Sequence, residues 1–284
     1  MDIDQARTFL AIAAHGSFLE AAKRLHVTQS TVSARIRNLE IELGVSLFVR
    51  NRAGASLTPA GQRFVQHAKT LVLTVEQARH DVGLPSRYRA SIRVGGRIAL
   101  WEEFLPSWVG WMRRTAPNVS IRSEIGFEED LMRRLIEGTL DVGLMYTPSH
   151  APGLVVEHLF DETLVMVSSR RETRWPGEDY IYVEWGPGFY AKHREHYPDL
   201  ERPPQVVNIG WLGVQLILAN GGSCFLPLRM ARALIREQRL FQVAEAPEFS
   251  HPAYMVFPRR AESDVLQQAV EGLRALALKE QAQT

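Results

Sequence analysis

FLAIAAHGSFLEAAKRLHVTQSTVSARIRNLEIELGVSLFVRNRAGASLTPAG, residues 9–61, is the stretch that decides the fold of this chain. Ahead of it and into it, residues 5–14 place Phe9, Leu10 and Ala13 on one helical face, and Gly16 ends that helix. Ser17 opens the next helix, and Ser17-Phe18-Leu19-Glu20 has the spacing of a capping box, with Glu20 reaching back to the Ser17 amide. That short helix buries Phe18, Ala21, Ala22 and Leu25. After the His26-Val27 turn, Thr28 caps a third helix whose inward stripe is Val32, Ile36, Leu39 and Leu43, and Gly44 closes it. Two helices across a tight turn, the second longer and polar outside, form a helix-turn-helix.

At about 100° per residue from the buried stripe, Ser30, Ala34 and Arg37 point most directly outward, flanked by Thr31, Ser33 and Asn38. Small hydroxyl side chains let the helix approach base edges, and Arg37 can reach a phosphate or a guanine. Taken alone, this stripe fits a solvated helix face equally well. Its neighbours decide the matter. Residues 47–50 and 55–57 flank Asn51-Arg52-Ala53-Gly54, the pattern of a small hairpin with arginines near its tip, and Thr58-Pro59 starts another helix. The order makes a winged DNA-binding domain over residues 1–58. Its candidate contacts to double-stranded promoter DNA are Thr28, Gln29, Ser30, Thr31, Ser33, Ala34, Arg35, Arg37, Arg50 and Arg52. Residues 1–65 carry eight Lys/Arg against five Asp/Glu, while the whole chain is only +1, so the basic excess sits at this end.

The same block resembles the N-terminal signature of LysR-type transcriptional regulators along its whole length, and the resemblance continues over nearly the entire chain. It implies a DNA-binding transcription regulator. Ala34 departs from the pattern, since many members have arginine there; the contact is missing or passes to Arg35.

From Thr58 the helical pattern continues as a linker over residues 59–83. Phe64, Ala68, Leu71, Val75, Ala78 and Val82 recur in steps of four and three, a 3.5-residue period that suits a dimer seam. Packing on the protein's own body is the other reading. The resemblance implies paired linker helices, and a dimer or tetramer matches two half-sites on DNA. Gly83-Leu84-Pro85-Ser86 breaks the helix, making residues 84–90 a hinge.

Residues 91–284 alternate strands with helices, which predicts an α/β domain with a parallel sheet. The strands expected are near 91–95, 119–125, 140–145, 164–168, 180–183, 205–208, 223–226 and 253–257, with helices near 100–115, 128–137, 211–219 and 263–278. This part resembles the family's effector domain, two lobes built like a periplasmic binding protein: lobe one about 91–161 and 250–284, lobe two about 162–249. Ligands of open parallel sheets sit at the carboxyl ends of the strands. That nominates Gly96, Arg97, Ala99, Tyr146 and Thr147 in lobe one, and Trp185, Asn208, Gly222 and Ser223 in lobe two. Arg97 and Ala99 stand where the family commonly has hydroxyl residues. Arg97 beside a helix start favours an anionic effector; alternatively it pairs with Glu102 or Glu103.

Other classes find little support. No Ser/His/Asp, Cys/His or metal spacing points to an enzyme, so no catalytic residue, metal or cofactor is expected. His193-Arg194-Glu195-His196 reads as a charged surface loop. Cys224, the one cysteine, reads as a small core residue. The N-terminus lacks a signal peptide, and no run approaches ~18 apolar residues, so no membrane span is expected and the cytoplasm is the expected place.

Overall fold

The computed structural model describes residues 1–51, 54–171, 177–198, 200, 203, 205–259 and 263–281. The chain divides into two compact units, Met1–Pro85 and Ser86–Thr284. Among the described residues no helix is long and apolar enough to cross a membrane.

The first unit holds α1 (Ile3–His15), α2 (Phe18–Leu25), α3 (Gln29–Leu43), the hairpin β1 (Phe48–Asn51) and β2 (Gly54–Leu57), and α4 (Pro59–Val82). A capping box that sequence reading passed over starts α1: the Gln5 amide donates to Asp2 Oδ1 at 2.7 Å, and the Asp2 amide to Gln5 Oε1 at 2.9 Å. The one expected at Ser17 is half made. Ser17 Oγ accepts the Glu20 amide at 3.3 Å, but the Glu20 carboxylate takes Lys23 Nζ at 2.7 Å instead of turning back. Thr28 caps α3 through the Thr31 amide, and Gly44 closes it with φ of 68°. Ala6, Phe9, Ile12, Phe18, Val32, Ile36, Leu39, Leu47 and Phe48 form the core. Leu43, expected on the buried stripe, is 38% exposed, because the last turn of α3 runs past the core edge.

The core also takes in α4. Phe64 lies edge-on to Phe9 at 5.0 Å, Ala68 is fully buried, and Leu71 packs against the same cluster. Phe64 and Ala68 are thus taken up by the domain's own core and Leu71 is partly covered by it, so the first half of the heptad stripe packs within this unit. Beyond it Val75 is half-buried, Ala78 exposed and Val82 89% exposed.

The hairpin is tied at both ends. Glu40 Oε1 on α3 accepts the Leu47 and Phe48 amides at 2.6 and 3.2 Å, and the Ala55 amide donates to the Gly16 carbonyl at 2.7 Å. At Gly54, φ is 137°, and a Cβ there would stand 2.4 Å from the Gly16 carbonyl oxygen. Only glycine fits that conformation and that gap.

In the second unit β3 (Ala90–Gly96) lies between β4 (Val119–Ile125) and β5 (Val142–Met145), parallel to both. A 3-10 turn (Ile98–Trp101) and α5 (Phe104–Thr115) follow β3 where one helix was expected; Glu103, at φ of 68°, separates them. After β4 comes α6 (Glu128–Ile136). The sheet then departs from the all-parallel expectation. β6 (Leu154–Ser168) is three times the length expected, because charged residues at 157–158 and 161–162 hide its apolar pattern. It leaves lobe one and ends in lobe two, antiparallel to β9 (Ser223–Pro227). Lobe two adds β7 (Ile181–Val183), α7 (Pro187–His196), β8 (Gln205–Val207), α8 (Gly210–Asn220), α9 (Leu228–Arg236) and β10 (Phe241–Gln242). β11 (Phe249–Pro258) runs back along β6, from Phe249 opposite Leu164 to Pro258 opposite Leu154, and α10 (Asp264–Gln281) closes lobe one. There Trp108 Nε1 of α5 donates to the Ala269 carbonyl at 3.0 Å.

Two expectations need correction in lobe two. His193 and His196 lie on a helix, α7, and His193 is buried, its Nε2 2.9 Å from the Tyr180 hydroxyl. α9 escaped sequence reading altogether. Cys224 is fully buried, and burial pushes its thiol well above the ordinary range.

Gly54→Ala is expected to destabilise the first unit by roughly 1–3 kcal/mol through the positive φ and the lost hairpin contact. Urea unfolding checks this; a midpoint equal to wild type would remove the constraint argued for Gly54.

Candidate nucleic-acid interface and ligand cleft

The outward face of α3 is built as its spacing requires. Thr28, Gln29, Ser30, Ala34, Arg37 and Asn38 are exposed, with Thr31 and Ser33 half-buried beside them. Thr28 Oγ1 lies 2.8 Å from both Ser30 Oγ and Thr31 Oγ1, so the start of the helix presents three hydroxyls in one cluster. The structure separates the two arginines. Arg37 extends from the exposed face. Arg35 turns back to α1, donating to Asp4 Oδ2 at 2.8 Å and to Thr8 Oγ1 at 3.4 Å. It ties α3 to α1 on the domain's own body. Arg50 pairs through its backbone with Ala55 in the hairpin; its side chain, and all of Arg52, lie outside the described residues.

In the second unit, the carboxyl ends of β3, β5, β7 and β8 bring Arg97, Tyr146, Trp185 and Asn208 together. Arg97 Nη2 of lobe one reaches the Asn208 carbonyl of lobe two at 3.5 Å. Its Nε lies 3.4 Å from Glu128 Oε1 without a hydrogen bond, and its guanidinium stacks 4.5 Å over the Phe127 ring. The acid beside Arg97 is thus Glu128, the first residue of α6, not Glu102 or Glu103. Gly96 is buried at the strand end, where a side chain would meet Leu105. Thr147 is exposed on the rim, its Cγ2 facing Gly186 of the other lobe.

The Tyr146 ring lies against His251, tilted by 32° with centroids 4.2 Å apart, and stands perpendicular to Trp185 at 6.2 Å. Trp185 Nε1 is held by the Phe225 carbonyl at 2.8 Å. The Tyr146 hydroxyl donates at 3.1 Å to Glu162 Oε1, which also accepts from Arg229. Arg229, at the start of α9, donates as well to the Glu102 carbonyl and has Glu280 3.7 Å from its Nε. Burial pushes the Glu162 carboxyl above its usual range although Arg229 pulls it down. Burial, reinforced by Arg97, holds His251 neutral with its pKa lowered to about 4, and its Nε2 has no hydrogen-bond partner.

Three nominated residues do not line this cleft. Ala99 is 2% exposed and turned into the core. Gly222 and Ser223 start β9, which runs parallel to β7, so they lie at the amino end of the strands, opposite Trp185 and Asn208. There the Gly222 amide donates to Ser169 Oγ at 3.1 Å, and the Ser223 amide to the Asp179 carbonyl. Sequence reading missed Phe127, Glu128, Glu162, Arg229 and His251. The strand-end rule applied to β4 would have found the first two. Among the described residues no cluster of three or more His, Cys, Asp or Glu is placed to hold a metal.

A winged helix-turn-helix followed along the chain by a two-lobed α/β domain defines a DNA-binding regulator with a binding-protein-like second domain. Comparison with known proteins agrees. The model of the bacterial regulatory helix-turn-helix proteins of the lysR family matches residues 3–62, and that of the LysR substrate binding domain matches residues 86–278. The HTH-type transcriptional regulator HdfR of Escherichia coli O45:K1 is 30% identical over 272 residues, covering 94% of this chain and 95% of the relative. Full-length CbnR complexed with its target DNA superposes with a TM-score of 0.71 at 21% identity, covering 97% of this chain and all of that one. The full-length LysR-type regulator LysG from Corynebacterium glutamicum with bound effector Arg gives 0.54 at 19% identity, covering 98% and 99%. The chain belongs to the LysR family of DNA-binding transcriptional regulators, whose members matched here are regulators and not enzymes.

Because His251 is held neutral in the fold, the unfolded chain takes up its proton first as pH falls. Its contribution to stability is whole above about pH 6.5 and declines, by at most ~1.4 kcal/mol per pH unit, down to about pH 4. His251→Phe should unfold with a shallower loss across that window, read from urea midpoints between pH 7 and 4. Identical slopes for the two proteins would mean that His251 titrates normally.

Proposed function

We propose that this regulator binds promoter DNA as a dimer or tetramer in the cytoplasm, and that a carboxylate-bearing effector enters the cleft and changes that binding. One observation carries the effector reading: the Arg97 side chain keeps 12% of its surface, yet its Nε makes no hydrogen bond and its one inter-lobe contact is long. A guanidinium has five N–H donors, and leaving the buried Nε–H among them unused is costly. The start of α6 lies beside it, and its N-cap residue, Phe127, offers no capping side chain. Positive charge and free amide donors converge at one place, which suits a carboxylate. LysG, of the same architecture, was solved with a bound effector, Arg, which supports the reading.

On DNA, α3 enters the major groove, with Thr28, Gln29, Ser30, Thr31, Ser33 and Arg37 toward the bases and phosphates, and the hairpin carrying Arg50 and Arg52 lies on the adjacent backbone. Dimerisation uses the outer half of α4. Val75, Ala78 and Val82 continue the stripe after Leu71 and are not covered by the first unit's core. Two copies of that face give two recognition helices for two half-sites.

Val75→Glu with Val82→Glu is expected to shift the full-length protein toward monomer in light scattering, with the thermal midpoint of the first unit unchanged. Phe64→Ala should instead cost about 3–5 kcal/mol of stability, since that ring fills the core. A double mutant of undiminished mass would place the seam elsewhere.

Arg97→Ala should lose carboxylate binding by at least about tenfold, the loss of one charge-assisted contact, in calorimetry of the full-length protein. Wild-type affinity in the variant would move the site away from Arg97.

A further inference from the structure

The charge balance inside the cleft says more about the ligand than that it carries a carboxylate. Glu162 is buried and already bonded by Tyr146 and Arg229. His251 is buried beside Tyr146 and Trp185 with its Nε2 unbonded. Near them Arg97 and Glu128 face each other, 3.4 Å apart at Nε and Oε1 without a hydrogen bond at Nε, with side chains keeping 12% and 23% of their surface.

A simple anion placed on Arg97 would draw away the positive charge that neutralises Glu128 and set a second negative charge next to it. Like charges this close in a shielded site repel strongly, so part of the gain at Arg97 would be lost at Glu128. A ligand carrying both signs avoids this. Its carboxylate replaces Glu128 as the partner of Arg97, and its ammonium replaces Arg97 as the partner of Glu128. Past this pair, Tyr146, Trp185 and His251 offer ring faces and one uncharged imidazole nitrogen, and the charge of Lys192 is felt at His251 more weakly than that of Arg97.

We propose that the effector is an α-amino acid with an uncharged side chain. Its carboxylate lies on Arg97 and the first amides of α6, its ammonium on Glu128, and its side chain against Tyr146, Trp185 and His251. The assignment rests on the cleft being the effector site, and the measurement below separates the two.

Calorimetry of the full-length protein takes the L-amino acids with uncharged side chains, each beside the carboxylic acid that lacks its amino group (L-phenylalanine with 3-phenylpropanoate, L-leucine with 4-methylpentanoate). Wild type should bind at least one amino acid tenfold or more tighter than its deaminated acid. Glu128→Gln, which keeps size and hydrogen bonding, should weaken that amino acid about tenfold and bring the acid level with it, with circular dichroism showing the fold unchanged. If the deaminated acids bind wild type as well as the amino acids do, the zwitterion assignment falls and the carboxylate reading stands. If neither series binds, both fall. An unchanged preference in Glu128→Gln would also overturn it, because the ammonium would then have another partner.

Discussion

β6 and β11 share one antiparallel ladder from Leu164 opposite Phe249 to Leu154 opposite Pro258, and the chain passes between the lobes on these two strands. Everything in the cleft depends on that pairing. It brings Glu162 opposite His251 in register, so two polar side chains are forced into the floor of the site where the lobes meet. A buried carboxyl must be compensated, and for Glu162 the compensation comes from both sides: Tyr146 from the end of β5 in lobe one, Arg229 from the start of α9 in lobe two. The Glu102 carbonyl, which accepts from Arg229, belongs to lobe one again. A change in the angle between lobes therefore cannot leave this cluster untouched, since one guanidinium is bonded to groups on both.

The first unit solves a different problem, that of keeping a recognition helix rigid while its outer face stays free. Three contacts do it from behind. Arg35 is anchored on Asp4, Glu40 takes two hairpin amides, and the Gly16 carbonyl takes a third. The Arg35 pair is half exposed and worth on the order of 0.5 kcal/mol, so its effect lies in orientation more than in stability. Ser30, Ala34, Arg37 and Asn38, on its outer face, take no part in these three contacts. They are small or flexible, as a surface that must fit against bases requires.

Much of this was legible in the chain, and the exceptions have physical causes. The helices of the first unit follow from caps and stripes a few residues long, and local signals of that kind survive into the fold. The linker stripe misled in part because a 3.5-residue period states that a helix buries a face, not what covers it; Phe64 and Ala68 meet α1 of their own chain. Gly222 and Ser223 were misplaced because the turn before a strand looks like the turn after one, and only the parallel bridge between Tyr180 and Ser223 shows which end they occupy. Glu162 and His251 gave no signal at all. A glutamate in a charged run and a histidine before a proline resemble loop residues until a partner strand 89 positions away, His251 from Glu162, makes both part of one ladder.

Arg97 shows how these levels meet. Its position at a strand end could be read from the order of elements, and its charge from the sequence. What the sequence could not supply was the neighbour, because Glu128 belongs to a separate strand-helix junction brought alongside by the β3–β4 pairing, with Gly96 opposite Ile125. Once that register is fixed, Arg97 Nε and Glu128 Oε1 are held 3.4 Å apart, with Arg97 Nε making no hydrogen bond. On the function proposed above, such a pair is ready for exchange: the backbone keeps both charges in place at little further ordering cost, and a ligand that satisfies both gains interactions the pair does not make by itself.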